Sequence, residues 1–484
     1  MVTDHQAYAN RPNVAKALPL QTYLAHRGTR LTRAYAALPI CSPSRATMLT
    51  GLYPHNHGLT ENDGRFGGRL GLDKTDWLIN QDLSKAGYRC GWFGKWHLSQ
   101  EDSATDFGFE GYSQPGYGYP YNTDEYKTYL KQNKLGSPIA RIELAGESRR
   151  ASGTHVALTE LEEWFDYESG TAVLEGTAET HEAFFVSSMA EDWLRTSDNE
   201  PFFLRVDTWG PHPPYIVAPP YCDMFPELVT AASGNLGSDL RGRPSHHVEY
   251  RDYWQKALPP KARDFGLLSR RALQQAALCE NALLRLPRLL EEKGLIENTI
   301  IVYCADHGDA VASNGGVLNK GGLMVEETLR IPLLISGPGI CSGRVIDELV
   351  GNIDLVPTLL DAAGLTNKNC DGFSLLPLLT QGTRPARSGL MCEHYGLHTA
   401  VMQRCWHMEQ WKLIAQEDGF IELYNLEADP CELTNLAKDQ FYKNVCNKMI
   451  SALKKEMQRS NDPAFHRMQI DPLETDYFHP KPPF

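Results

Sequence analysis

Thr299-Ile300-Ile301-Val302-Tyr303-Cys304-Ala305 runs without a charged residue into Asp306-His307-Gly308-Asp309. The run is strand-sized and rich in β-branched residues. Its apolar positions are continuous rather than alternating, which is the pattern of a strand covered on both faces. Two more segments repeat the arrangement. Residues 202–208 (FFLRVDT) lead into Trp209-Gly210-Pro211-His212-Pro213-Pro214, and residues 331–335 (IPLLI) into Ser336-Gly337-Pro338-Gly339. With helical segments between them, these strands predict an α/β chain on a large, central, mostly parallel sheet flanked by helices. Ligands of such sheets lie beyond the carboxyl ends of the strands, where these polar clusters fall.

The helices are marked by their ends. Residues 42–50 have Ser42 as N-cap, Pro43 at the first helical position and Gly51 just past the last. Residues 270–293 form a long amphipathic pattern closing at Gly294, and Pro287 inside it predicts a kink or a break. Residues 354–363 form another helix, ending at Gly364. The stretch 101–181 is rich in Gly, Tyr and Ser with weak periodicity and reads as loops covering one end of the sheet. From about Asn367 the pattern becomes short strands (411–415, 421–424), then a helix over 440–458 and a Pro-rich tail. The expected division is a larger α/β domain over 1–366 and a smaller C-terminal α+β subdomain over 367–484.

Composition narrows the function. The 484 residues are 42% hydrophobic and 22% charged, and 47 basic against 60 acidic residues leave a net charge of −13. Phosphate binding along a nucleic acid needs a concentrated cationic surface, and docking on anionic lipid needs the same. Both are disfavoured, while a local cationic pocket for a small anion is not. No apolar run approaches the ~18–20 residues that span a bilayer, so no membrane span is expected. The start, MVTDHQ, shows no basic segment followed by an apolar one, which reads as cytoplasmic. Eleven cysteines, an odd number scattered from Cys41 to Cys446 without a CxxC pair, argue against a disulfide scaffold or a zinc ribbon.

One cysteine stands apart. In Cys41-Ser42-Pro43-Ser44-Arg45-Ala46-Thr47-Met48-Leu49-Thr50-Gly51 a thiol lies where a loop enters a helix. Unpaired backbone N–H groups and the positive end of the helix dipole favour an anion there. Arg45 adds a fixed charge within the first turn. Taken alone, Cys-x-Pro-x-Arg also fits a capped helix with a buried thiol.

The eleven residues together resemble the signature of the formylglycine-dependent sulfatases, in the alkaline-phosphatase-like superfamily. The resemblance continues in order through Tyr53-Pro54-His55-Asn56-His57-Gly58, Gly94-Lys95-Trp96-His97, Gly210-Pro211-His212-Pro213-Pro214 and Asp306-His307-Gly308-Asp309. It then passes Asn319-Lys320-Gly321-Gly322 and reaches Glu422-Leu423-Tyr424-Asn425-Leu426-Glu427-Ala428-Asp429-Pro430. It implies hydrolysis of an organic sulfate ester by a sulfatase-like α/β fold, with Cys41 oxidised to formylglycine by a formylglycine-generating enzyme. It also implies one divalent metal ion, Ca²⁺ with Mg²⁺ or Mn²⁺ as alternatives, on Asp4, Asp306, His307 and the hydrated side chain at position 41. Such a donor set is mainly hard. By the same resemblance one hydrate hydroxyl attacks sulfur and forms a covalent sulfated intermediate. His212 protonates the leaving alcohol, with Lys320 contacting sulfate or sharing that task. His97 deprotonates the second hydroxyl, and Lys95 and Arg45 hold the hydrate and the sulfate charge.

The chain departs from the family at its start. Only Asp4 stands where many members carry two adjacent aspartates, and few apolar residues precede it, so a missing leader would leave export open. Asp306-His307 in place of Asp-Asn resembles the branch of choline-sulfatase-like and phosphonate-monoester-hydrolase-like enzymes. A phosphonate monoester or phosphodiester hydrolase, a small aryl- or choline-type sulfatase and a degenerate glycan-binding homologue are therefore the rivals. A sulfated carbohydrate is the preferred substrate, because the stretch 101–181 is long and rich in Tyr. Among the other histidines, His55 and His57 read as structural in a turn. His394 and His398 could line a substrate pocket, and His246-His247 read as surface or core. Glu326-Glu327 reads as a solvated helix start.

Overall fold

A computed structural model describes residues 18–144, 152–160, 170–197, 200–225, 235–258, 263–366, 370–385, 387–397, 399–468 and 470. Asp4, His5 and His398 lie outside them, and the expected boundary between 366 and 367 falls at the edge of the described set.

The apolar runs are strands, as their composition requires. Strands β1 (Gly28–Tyr35), β9 (Ile301–Cys304), β10 (Arg330–Ser336) and β11 (Arg344–Gly351) form one sheet in the order β11-β1-β10-β9. Here β1 and β11 run parallel, while β10 runs antiparallel to β1 and to β9. Strands β2 (Arg89–Gly94), β3 (Glu110–Tyr112) and β7 (Phe202–Asp207) form a wholly parallel sheet, β3-β2-β7. A continuous apolar run reports burial on both faces and leaves direction to the connections, which is why β10 carries the same apolar pattern although it runs antiparallel to both its neighbours.

Among the described residues, β7 pairs only with β2 and β9 only with β10. Between them lies a cavity of about 860 Å³ lined by both strands and reaching Arg45 and Lys95 at their carboxyl ends.

Residues 101–181 are not only loops. Strands β4 (Ile139–Leu144), β5 (His155–Ala157), β6 (Thr171–Glu175) and β8 (Tyr215–Val217) build a further sheet, β5-β4-β6-β8. Strand β4 alternates exposed or half-buried positions with buried ones, so its signal has the period of two expected of a one-face strand. The C-terminal strands β12 (Leu390–Gly396), β13 (Ala400–Met408), β14 (Trp411–Gln416) and β15 (Ile421–Asn425) form an antiparallel meander. The Lys443–Arg459 helix packs on it through Cys446, Met449, Ile450 and Leu453.

The long helix breaks as Pro287 requires, into Phe265–Leu283 and Arg285–Glu292, with Gly294 just beyond at a φ of +69°. Around Cys41 the helix is Cys41–Thr50, so Ile40 and not Ser42 is the N-cap, and Cys41 is the first helical residue. Gly51 ends it in the left-handed region, at φ +70°. Glu326 and Glu327 are a correction: both are buried. Lys412 Nζ meets Glu326 at 3.2 Å, and Asn235 donates to Glu327 at 2.9 Å. A lone charge pair in sequence cannot show that a cation from β14 is folded against it. No described helix is long and apolar enough to cross a membrane.

Candidate active site

Four structural pieces bring the candidate residues together. The Cys41–Thr50 helix carries Cys41 and Arg45, the segment after β2 carries Lys95 and His97, and the turn after β7 carries His212. The segment after β9 carries Asp306 and His307, with Lys320 farther along the same connection. Each lies beyond the end of a strand or at the start of a helix, where backbone groups and side chains are free of the ladder.

Arg45 ties these pieces together. Its Nε donates to Asp306 Oδ2 at 3.1 Å, and its Nη1 to Asp207 Oδ2 at 2.7 Å and to the Lys95 carbonyl at 2.8 Å. A planar fork with five donors can serve three acceptors at once. Ser44 donates to the Asp306 carbonyl and accepts from Asn352 Nδ2 at 2.7 Å, so the Cys41–Thr50 helix is pinned to the end of β9.

Cys41 is buried and ringed by nitrogen. His307 Nε2 lies 3.1 Å from its Sγ and Lys95 Nζ 3.7 Å away. Burial pushes the thiol pKa up, yet Lys320, Lys95 and His307 together bring it well below its usual range. The position therefore favours an anion, as the helix start alone suggested. Burial brings Lys95 down to about 8, and its ammonium lies 4.1 Å from the centre of the Tyr117 ring. Asp306 is half-buried, and although desolvation pushes its carboxyl up, His307 and Arg45 hold it well below the usual carboxylate range, so it stays ionised.

The imidazoles differ in what they can do. His307 Nδ1 lies 2.6 Å from the Gly308 carbonyl, so Nδ1 carries a hydrogen, and Nε2 faces Cys41 Sγ. His97 has a left-handed φ of +56° and is lowered by burial to about 4, hence neutral at pH 7. Its buried Nδ1 has no protein partner. His212 donates from Nδ1 to the Pro213 carbonyl at 2.6 Å and accepts at Nε2 from Lys320 Nζ at 2.8 Å. Burial, then Lys320 and Lys95, hold its pKa well below the usual imidazole value. His212 is therefore neutral, with Nε2 as the acceptor of the pair.

A divalent cation fits one corner. The ligand atoms of Cys41, Asp306 and His307 lie within 4.8 Å of one another, and they combine an ionised carboxylate, an imidazole nitrogen and the side chain at position 41. The cluster His181, Glu182 and Cys279 has the same spread but does not fit a metal. His181 Nδ1 already accepts the Ala183 N–H at 3.2 Å, and its ring also bonds the backbone at Ile216.

The remaining histidines fall outside the site. His57 accepts from Leu59 N–H and faces Thr47, and His55 lies between Glu393 and the Ser460 carbonyl; both are structural, as expected. His394 is fully buried, donating to the Gly321 carbonyl at 3.1 Å, so it lines no open pocket. His246 and His247 are buried as well. Sequence reasoning missed Asp207, Asn352 and Tyr117. Asp207 had a signal, since it ends a buried strand as Asp306 follows one. Tyr117 had none: its ring lies edge-on to His97 (5.2 Å) and His212 (5.5 Å) through folding alone.

Residues 3–365 match the family model described as Sulfatase, and residues 316–459 match N-sulphoglucosamine sulphohydrolase, C-terminal. The uncharacterized sulfatase YidJ of Escherichia coli is 26% identical, covering 96% of this chain and 87% of the relative. N-acetylglucosamine-6-sulfatase of Capra hircus is 27% identical, covering 86% and 75%. Among solved structures, BT4656 in complex with its substrate D-glucosamine-2-N,6-O-disulfate superposes with a TM-score of 0.69 at 21% identity, over 92% of this chain and 93% of that one. Phosphonate monoester hydrolase of Agrobacterium radiobacter gives 0.67 at 21%, over 94% and 92%. At these identities the structural likenesses speak for the fold.

Proposed function

This chain belongs to the sulfatase family and is a sulfuric ester hydrolase, and on that footing we propose that it removes sulfate from a carbohydrate through a formylglycine made from Cys41. The observation that carries the reading is the ring of Lys95, Lys320, Arg45 and His307 around one buried side chain at a helix start. Oxidised and hydrated, that side chain supplies a geminal diol, one hydroxyl as nucleophile and the other as the group whose deprotonation expels sulfate. Asp306, His307 and the side chain at 41, with Asp4, would hold one divalent cation, Ca²⁺ in preference to Mg²⁺ or Mn²⁺. The cation would supply charge neutralisation to the sulfate and the nucleophile.

The other roles follow from protonation states. Lys95 and Lys320 bring positive charge to the sulfate oxygens in a buried setting, where it acts most strongly on charge that develops in the transition state. The Lys320–His212 pair holds the proton for the leaving oxygen. His97, neutral at pH 7, accepts a proton from the diol. Arg45 keeps the helix, Lys95 and Asp306 in register. The carbohydrate assignment is supported by the Capra hircus relative and by the glucosamine disulfate that BT4656 binds. Hydrolysis of a phosphonate monoester is the second reading, favoured by the likeness in fold to the Agrobacterium radiobacter hydrolase.

The test is inorganic product release from 6-O-sulfated glucosamine, an aryl sulfate and phenyl phosphonate, using protein coexpressed with a formylglycine-generating enzyme. Highest kcat/KM on the sugar sulfate, abolished in Cys41→Ala, is the expected result. Preference for the phosphonate would replace the substrate class, and preference for the aryl sulfate would replace the sugar.

A further inference from the structure

A buried carboxyl group outside the sulfatase motifs reaches the turn that carries His212. Glu182 opens the Glu182–Thr196 helix and is 1% exposed. Its Oε1 accepts the Gly210 N–H at 2.9 Å, two residues before His212, and the Trp209 backbone amide bears on the same carboxyl. Among the described residues Oε2 is buried and makes no side-chain hydrogen bond. The fit leaves no slack, because a Cβ on Gly210 would lie 2.7 Å from Cys279 Sγ and 3.3 Å from Glu182 Oε1.

The far side of the turn is equally fixed. Thr208 Oγ1 donates to the Gly210 carbonyl at 2.7 Å, Trp209 Nε1 donates to the Tyr117 carbonyl at 2.7 Å, and the His212 N–H reaches the Trp209 carbonyl at 3.2 Å. His212 then meets Lys320 at 2.8 Å. Glu182 is thus the anchor of the turn on the helix side, with His181, Cys279, Tyr121 and Lys95 as the titratable groups around it.

Resting on the acid role assigned above to the Lys320–His212 pair, we propose that Glu182 is a positioning residue: its carboxyl group braces the turn so that His212 meets Lys320 where the leaving oxygen must be protonated. Displacement of a catalytic group by about 1 Å costs on the order of 100-fold in rate. That loss falls on the step that needs the proton. An alkyl or sugar alkoxide cannot leave without one, whereas a nitrophenolate can. A residue that only stabilised the fold would slow both esters alike.

The experiment measures kcat and KM for an alkyl sulfate and for 4-nitrophenyl sulfate with wild type, Glu182→Ala, Glu182→Gln, His212→Ala and the Glu182→Ala/His212→Ala double variant. Glu182→Ala should lose about 10- to 100-fold more kcat on the alkyl ester than on the nitrophenyl ester, with KM nearly unchanged. Glu182→Gln should restore the alkyl rate, because its amide oxygen accepts the same N–H. The double variant should be no slower than His212→Ala. Where Glu182→Ala does not accumulate as folded protein, Glu182→Asp, one carbon too short to reach Gly210, should show the same selective loss. Equal losses on both esters, or additive losses in the double variant, would overturn the proposal. If His212→Ala itself shows no leaving-group dependence, the acid assignment falls first and takes the proposal with it.

Discussion

Arg45 and His97 show how much one side chain can decide here. Arg45 joins two half-buried aspartates from separate parts of the chain, one at the end of β7 and one just after β9. Lysine, a single point charge, cannot serve Asp207, Asp306 and the Lys95 carbonyl together. Arg45→Lys should therefore lower unfolding free energy by about 3 kcal/mol, as breaking a buried pair does, read from the urea midpoint. His97 has a different signature. Its loss removes a base and no anchor, so His97→Gln should lower kcat by ~10²–10⁴ with little change in KM. Unchanged kcat would remove His97 from the account. The motif residues were legible because each type is demanded by chemistry: a nucleophile precursor at a helix start, cations for sulfate, and a carboxylate beside an imidazole for a metal. Asp207, Asn352, Tyr117 and Glu182 were not, because they act by meeting distant residues.

The elements set those meetings, and the closest is at the end of β2. Gly94 pairs with Asp207 of β7 at a φ of +105°, and a Cβ there would lie 2.0 Å from the Asp207 carbonyl oxygen. The next residue, Lys95, donates its N–H to the same oxygen at 2.9 Å. Gly94→Ala can be accommodated only by parting β2 from β7, so it should cost about 2–4 kcal/mol in stability. It should also lower kcat, since Lys95 and the partner of Arg45 move apart. A variant with wild-type urea midpoint would contradict this register. Strand 299–305 was legible from an apolar run without a charge and strand 202–208 from a mainly apolar one that does not alternate, and the helix break near Pro287 from a missing N–H. Strand β4 was not, because its half-exposed Arg141 and Glu143 diluted the apolar signal. The turn-like reading of 101–181 came from its glycines, which do lie in left-handed conformations at Gly108, Gly116 and Gly118, where they only join the elements.

Over the whole molecule, buried neutral imidazoles give the fold a pH dependence. Burial lowers His57 and His181 to about 3, and His394 and His407 to about 4, from 6.5. Below about 6.5 the unfolded chain binds protons that the native one refuses, so stability is complete above that pH and is lost as pH falls toward 4 and 3. Urea midpoints should be flat just above pH 7 and drop steeply below 6. His57→Gln, which keeps a polar group against Thr47, should lessen the slope. A midpoint independent of pH between 4 and 7 would contradict it. At this scale the sequence shows an α/β fold with a C-terminal sheet, because burial pattern and order of motifs are both one-dimensional. The closure of β14 onto Glu326, through Lys412, is not, since it depends on register between distant strands.

The central claim is that Cys41 becomes the nucleophile's precursor, and its most direct test is the mass of the tryptic peptide 34–45 from protein coexpressed with a formylglycine-generating enzyme. The account predicts a peptide with an aldehyde in place of the Cys41 thiol, together with sulfatase activity that tracks the modified fraction. An intact thiol in protein that still hydrolyses sulfate esters would contradict it.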